Sequence, residues 1–168
     1  MKFLLLFVVF WPLAGFAAIN PQSSTSGLSR EALLAELTGK DLSRLDDVGL
    51  YSEIISAYEA RRLKQVESLV TRMLERYPRS PFADNALFLS GRVFLEEKNY
   101  AAALRRFQRV IDSYPKSNRV PAAKLAKAQA YTMMDLPSEA RKVLRDVMAK
   151  FPGSAEAFRA EHELKLLR

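Results

Sequence analysis

Tyr77-Pro78-Arg79-Ser80, Tyr114-Pro115-Lys116-Ser117 and Phe151-Pro152-Gly153-Ser154 are three versions of one corner. Their prolines fall 37 residues apart twice over, from Pro78 to Pro115 and from Pro115 to Pro152. A fixed period of this size marks an array of supersecondary units stacked side by side. The register also holds between the corners. Leu63, Tyr100 and Pro137 align, as do Val66, Ala103 and Ala140; Val70, Phe107 and Leu144; Met73, Val110 and Val147; and Leu74, Ile111 and Met148. In each repeat these positions recur at helical spacing and run into an aromatic and a proline, which cannot continue a helix. The pattern predicts an all-α solenoid of helix pairs.

Repeat one covers residues 47–79, with Leu50, Tyr51, Ile54, Ala57 and Tyr58 on a first helix and Val66, Leu69, Val70, Met73 and Leu74 on a second. Repeat two covers 84–116, with Leu87, Phe88, Gly91, Phe94 and Leu95, a turn at Lys98-Asn99, then Ala103, Phe107, Val110 and Ile111. Repeat three covers 121–153 and starts at Pro121, a residue favoured at the first helical position. Gly91 and Ala128 sit midway along first helices, and Ala103 and Ala140 early in second helices, where small side chains let the helices of a pair approach. Ser80, Ser117 and Ser154 recur with the repeat and are expected to cap the helices that follow. A closing helix over 154–168 is expected to turn Ala157, Phe158, Ala160, Leu164 and Leu167 inward. Its charged face of Glu156, Arg159, Glu163 and Lys165 then seals the end of the array.

The first 46 residues read differently. Lys2 precedes an uninterrupted apolar run, Phe3–Trp11, and Gly15-Phe16-Ala17 puts small residues at the two positions a signal peptidase reads. Residues 1–17 are therefore expected to be a cleaved signal peptide, which would place the mature chain in the periplasm. A retained membrane anchor is the competing reading. Its charge-free run, Phe3–Ile19, is at the short limit of a span and contains Pro12 and Gly15. Residues 18–28 form a Ser-rich linker. Residues 29–46 form a short helical segment with Leu33, Leu34 and Leu37 on one face, too short to be stable alone.

Composition narrows the chemistry. The chain has 168 residues and no cysteine, so it has no disulfide, no thiolate metal site and no acceptor for a lipoprotein anchor. His162 is its one histidine, flanked by Glu161 and Glu163 on a solvated helix face, which suits neither a multi-histidine metal site nor a catalytic base. The recurring serines follow the repeat and have no base beside them, and no glycine-rich phosphate loop occurs. No enzyme activity, cofactor, metal or small-molecule substrate is expected. The formal net charge is +7, with Arg105, Arg106 and Arg109 on one second helix and Arg141, Lys142 and Arg145 on the next. A stripe of this kind is either a solvated outer face or a docking surface for an anionic partner or membrane surface. Nucleic acid is disfavoured by the export signal.

Gly91, Phe94, Ala103, Phe107 and Pro115 fall on the tetratricopeptide repeat pattern, and Ala128, Tyr131, Ala140 and Pro152 repeat it. The chain thus resembles tetratricopeptide repeat proteins over residues 47–168. The resemblance implies a right-handed superhelical solenoid of about three helix pairs plus a C-terminal capping helix. The longer corner from Tyr77 to Gly91 looks like one branch, the C-terminal domain of the Tol-Pal-associated cell division coordinator family CpoB/YbgF. The repeats of the outer-membrane assembly lipoprotein BamD look similar. These resemblances imply a protein-binding scaffold of the cell envelope, in division or, alternatively, in outer-membrane assembly. In such arrays the first helices line the concave side. Tyr51, Tyr58, Asn85, Phe88, Arg92, Leu125 and Gln129 are the residues expected to face a bound partner there.

Overall fold

The structure, a computed structural model, describes residues 45–167. The expected signal peptide, the linker and all but the last two residues of the short helical segment lie outside the described residues. Within them run seven helices: α1 (Asp47–Glu59), α2 (Leu63–Arg76), α3 (Ala83–Glu96), α4 (Tyr100–Ser113), α5 (Val120–Met133), α6 (Pro137–Lys150) and α7 (Ala155–Leu166). Helices α1 to α6 form three antiparallel pairs and α7 closes the row.

The period is written into the backbone. The turn inside each pair is made by Arg61, Lys98 and Asp135, with φ of 58°, 59° and 57°. None is glycine, although this left-handed region disfavours a side chain. Each is held there by the bond just after it, in which the next N–H reaches back five residues. Arg62 N donates to Ala57 O at 2.9 Å, Asn99 N to Phe94 O at 2.8 Å and Leu136 N to Tyr131 O at 2.9 Å. These bonds close the ends of the first helices and satisfy carbonyls that would otherwise lack a partner.

The corners between pairs are fastened by their tyrosines. Tyr77 and Tyr114 terminate α2 and α4, and each hydroxyl reaches the preceding corner. Tyr77 Oη donates to Leu45 O at 3.1 Å, and Tyr114 Oη to Pro78 O at 3.2 Å. Phe151 holds the same place after α6 without a hydroxyl, and Gly153, with φ of 78°, turns that corner. Only one of the three serines caps a helix. Ser154 Oγ accepts from Ala157 N at the start of α7. Ser80 and Ser117 instead accept from Phe82 N and Arg119 N, two residues on, while α3 and α5 begin without a side-chain cap. The reason is length: two extra residues stand between serine and helix in the first two corners, so the hydroxyl tightens the turn. Helix α5 also begins one residue before Pro121, which lies within its first turn.

Packing alternates in the same rhythm. Leu50, Ile54 and Ala57 of α1 are buried against Val66, Leu69, Val70 and Met73 of α2. In the second pair Phe107 is fully buried and its ring lies over Gly91. At the carboxyl end Leu125, Ala128, Leu144, Val147 and Ala160 form one core cluster, with Leu164 and Leu167 packed against it. Phe158 does not join them and is 66% exposed. Ala157, Ala160, Leu164 and Leu167 follow the i, i+3, i+4 rows of one helix face, and residue 158 lies about 100° around the axis from Ala157. Among the described residues nothing covers that side.

First helices of neighbouring pairs touch directly through their backbones' close approach, α1 with α3, α3 with α5 and α5 with α7, whereas α2 and α4 meet through side chains such as the Arg106–Glu67 ion pair. Drawing one row of helices closer than the other curves the array with the first helices on its inner side. The described helices are an all-α solenoid.

Candidate functional site on the first-helix face

The residues expected on the inner face occupy matched places, because 37 residues separate Tyr51 from Phe88 and Phe88 from Leu125. Tyr51 and Phe88 each meet the residue just before the next first helix. Tyr51 stacks on Phe82, centroids 4.9 Å apart and planes at 13°. Burial raises the pKa of its phenol, with Arg119 opposing. Phe88 lies under the Arg119 guanidinium, 5.8 Å from the ring centroid, and Arg119 Nε also donates to Asn85 Oδ1. The Phe88 ring centroid is also 5.6 Å from that of buried Phe107, and the residue is half-buried. Leu125 is 4% exposed and packs in the carboxyl-end core, and it also lines the cleft that holds Arg92. Small neighbours let it sink: Ala128 beside it leaves room against Leu144 and Val147.

Tyr58 and Gln129 are tied down by carboxylates. Tyr58 Oη donates to Glu96 Oε1 at 3.0 Å, and Arg61 pairs with the other oxygen of the same group. Gln129 Nε2 donates to Glu163 Oε1 at 3.0 Å. Arg92 differs from all of these. It lines a cleft of about 70 Å³ with Phe88, across an alanine floor of Ala122 and Ala126 from Glu156 and Arg159 of α7. Neither Arg92 nor Arg159 makes an ion pair among the described residues. Gln129 is shared with an adjoining cleft of about 350 Å³, lined by Thr132, Met133, Leu166 and Leu167. Met133 is 57% exposed there and Leu166 72%. A site with two arginines over a small-residue floor, continuous with an apolar cleft, can hold an acidic group and a large apolar side chain together.

Arg159, Met133 and Leu166 were missed by sequence reasoning, which placed Arg159 on the outer charged face. The period itself carried the signal. Counting on by 37 takes Asn85 to Ala122 and Arg159, and takes Arg92 to Gln129 and Leu166. Extending the alignment into the closing helix finds Arg159 and Leu166. The stripe on the second helices is partly consumed by structure. Arg106 pairs with Glu67 at 3.1 Å and covers the Phe94 ring at 5.6 Å, and Arg141 donates to Leu167 O at 2.7 Å. Arg105, Arg109, Lys142 and Arg145 stay exposed. Among the described residues no group of three or more His, Cys, Asp or Glu side chains is placed to hold a metal ion.

Residues 94–162 match the family model of the tetratricopeptide repeat. Among solved structures, the Arabidopsis OM64 TPR domain is similar with a TM-score of 0.59 at 16% identity, over 71% of this chain and 94% of that one. No curated protein matches. Residues 94–162 are thus similar to the tetratricopeptide repeat, a class of scaffold that generally mediates protein–protein interaction, and the described helices have the fold of such a domain.

Proposed function

We propose that the protein is an exported interaction scaffold whose first-helix face takes an extended or helical segment of another envelope protein. The observation that carries this reading is the cleft lined by Arg92 of α3, Ala122 and Ala126 of α5, and Glu156 and Arg159 of α7, in which neither arginine makes an ion pair among the described residues. Cations so placed favour a segment with acidic character, and the apolar cleft beside Met133 and Leu166 favours a large apolar residue next to it. The Tyr77–Gly91 corner, with its resemblance to the division coordinator, supports a partner within Tol-Pal-linked division or envelope maintenance. The similarity to the assembly lipoprotein supports outer-membrane assembly instead.

In-cell crosslinking of the mature protein, followed by mass spectrometry of what it captures, separates these pathways. Arg92→Glu is expected to weaken capture by about 1–3 kcal/mol, the scale of a binding hot spot. Its thermal stability should move by no more than about 0.5 kcal/mol, since no ion pair is lost. Arg109→Glu, on the exposed second-helix stripe, should leave capture unchanged. The reverse result would move the site to that stripe and make an anionic surface the partner.

Export makes a separate expectation. The mature chain should begin at Ala18, read by amino-terminal sequencing of protein from its own cells. An intact Met1 that stays with carbonate-washed membranes would replace the signal peptide with an anchor.

A further inference from the structure

The opposite side of α5 carries a second feature. Lys124 and Lys127 lie on the face of that helix turned away from Ala122, Ala126 and Gln129. They line a groove of about 280 Å³ together with Lys142 and Asp146 of α6 and Gln108 and Ile111 of α4. At the same two places one repeat earlier stand Leu87 and Ser90, both fully buried. The fold therefore does not require lysine at either position. One repeat fills the space, and the next opens it and lines it with cations.

The charges in this groove do not balance. Lys124 and Lys150 share a single carboxylate, Asp146. Among the described residues Lys127 donates to a neutral acceptor, Gln108 Oε1, and makes no ion pair. Lys142 makes no ion pair among the described residues. The side chain of Lys124 is 15% exposed, so this is a recess and not a flat patch. Burial lowers the pKa of the Lys127 ammonium and Lys124 adds to the effect, with Asp112 and Asp146 opposing. Two like charges held together in a partly buried groove cost stability unless an anion joins them.

We propose that the groove between α4, α5 and α6 is a phosphate-binding site built by Lys124, Lys127 and Lys142. An ammonium group is a compact charge with three donors, and each of these lysines has donors to spare. Several such groups converging from two helices suit a tetrahedral oxyanion, whereas a planar carboxylate is better met by the fork of an arginine. The phosphate is either free or the headgroup of an anionic lipid. The site lies on the other face of α5 from the Arg92 cleft, and it does not depend on the peptide reading of that cleft.

The test is phosphate-dependent stability of the full mature chain. Thermal unfolding, followed by the helical circular dichroism signal, is compared in inorganic phosphate and in chloride at matched ionic strength. Phosphate is expected to raise the midpoint saturably, because a ligand that binds only the folded state stabilises it. The variant Lys124→Leu with Lys127→Ser restores the residues of the preceding repeat. It should fold and should lose at least about tenfold in apparent phosphate affinity, with Asp146 still paired to Lys150. Should that variant fail to fold, exposed Lys142→Gln carries the test through its own loss of phosphate response. Vesicles of phosphatidylcholine with and without phosphatidic acid separate the sources: lysine-dependent sedimentation only with phosphatidic acid identifies a headgroup, and its absence beside a phosphate shift identifies free phosphate. The proposal is overturned by an equal midpoint in phosphate and chloride. It is equally overturned by a phosphate shift that survives in the folded lysine variants, or by a polyglutamate peptide that matches phosphate.

Discussion

Phe107→Ala is expected to destabilise the domain by about 3–5 kcal/mol, the range for removing a fully buried aromatic side chain. The ring has no exposure and fills the crossing of α3 and α4 against Gly91, with Phe88 at 5.6 Å on another side. A cavity left there cannot collapse easily, because both helices are pinned at their shared turn by the bond from Asn99 N to Phe94 O. The crossing is as intolerant of added volume. A Cβ on Gly91 would lie 2.7 Å from Phe107 Cδ1 and 2.9 Å from Cζ, with Cε1 nearer still. Gly91→Ala should therefore cost about 1–3 kcal/mol despite alanine's better helix propensity. Combining Gly91→Ala with Phe107→Leu should cost less than the sum of the two, as residues in contact do not add. Urea unfolding followed by circular dichroism measures all four variants, Phe107→Leu alone included. A Phe107→Ala loss below about 1 kcal/mol would mean that the ring is not part of the packed crossing.

Ending the chain at Gly153 should do comparable damage. Without α7 the cluster of Leu125, Ala128, Leu144 and Val147 loses Ala160 and the partial cover of Leu164 and Leu167. Arg141 also loses the Leu167 carbonyl to which it donates. Each large side chain returned to water forfeits up to about 1.5–3 kcal/mol, against a total near 5–15 kcal/mol for a domain of ordinary stability. The truncated protein should melt several degrees lower and with less cooperativity, because a unit in a linear array is covered only by its neighbours. An unchanged melting midpoint would show α7 to be an appendage.

The helix pairs were legible because the period repeats backbone needs as well as apolar residues. A proline after an aromatic and a polar residue at each tight turn recur three times at one spacing, with small residues at the crossings of the second and third pairs. Surface and core within a helix were harder to separate. Leu125 and Phe88 hold equivalent places, yet Leu125 sinks into the core while Phe88 stays half covered by Arg119. The residue two places beyond the serine of the next corner differs between them, Glu156 for Leu125 and Arg119 for Phe88. Phe158 was misread for a related reason. An apolar residue on the closing helix looks inward to any periodicity, and among the described residues nothing covers Phe158. The Arg92–Arg159 cleft joins helices that are two pairs apart in sequence, so no local pattern announces it.

The tyrosine bonds at the corners all point one way. Tyr77 reaches back to Leu45 and Tyr114 back to Pro78, and no corner waits on a later one. For a chain that emerges amino end first, each acceptor is already present when its donor arrives, so a finished corner never depends on residues still to come. Order of emergence and order of fastening then coincide, and partly delivered chains expose less unfastened surface to misassociation. Phe151, with no hydroxyl to offer, ends that sequence where the closing helix takes over.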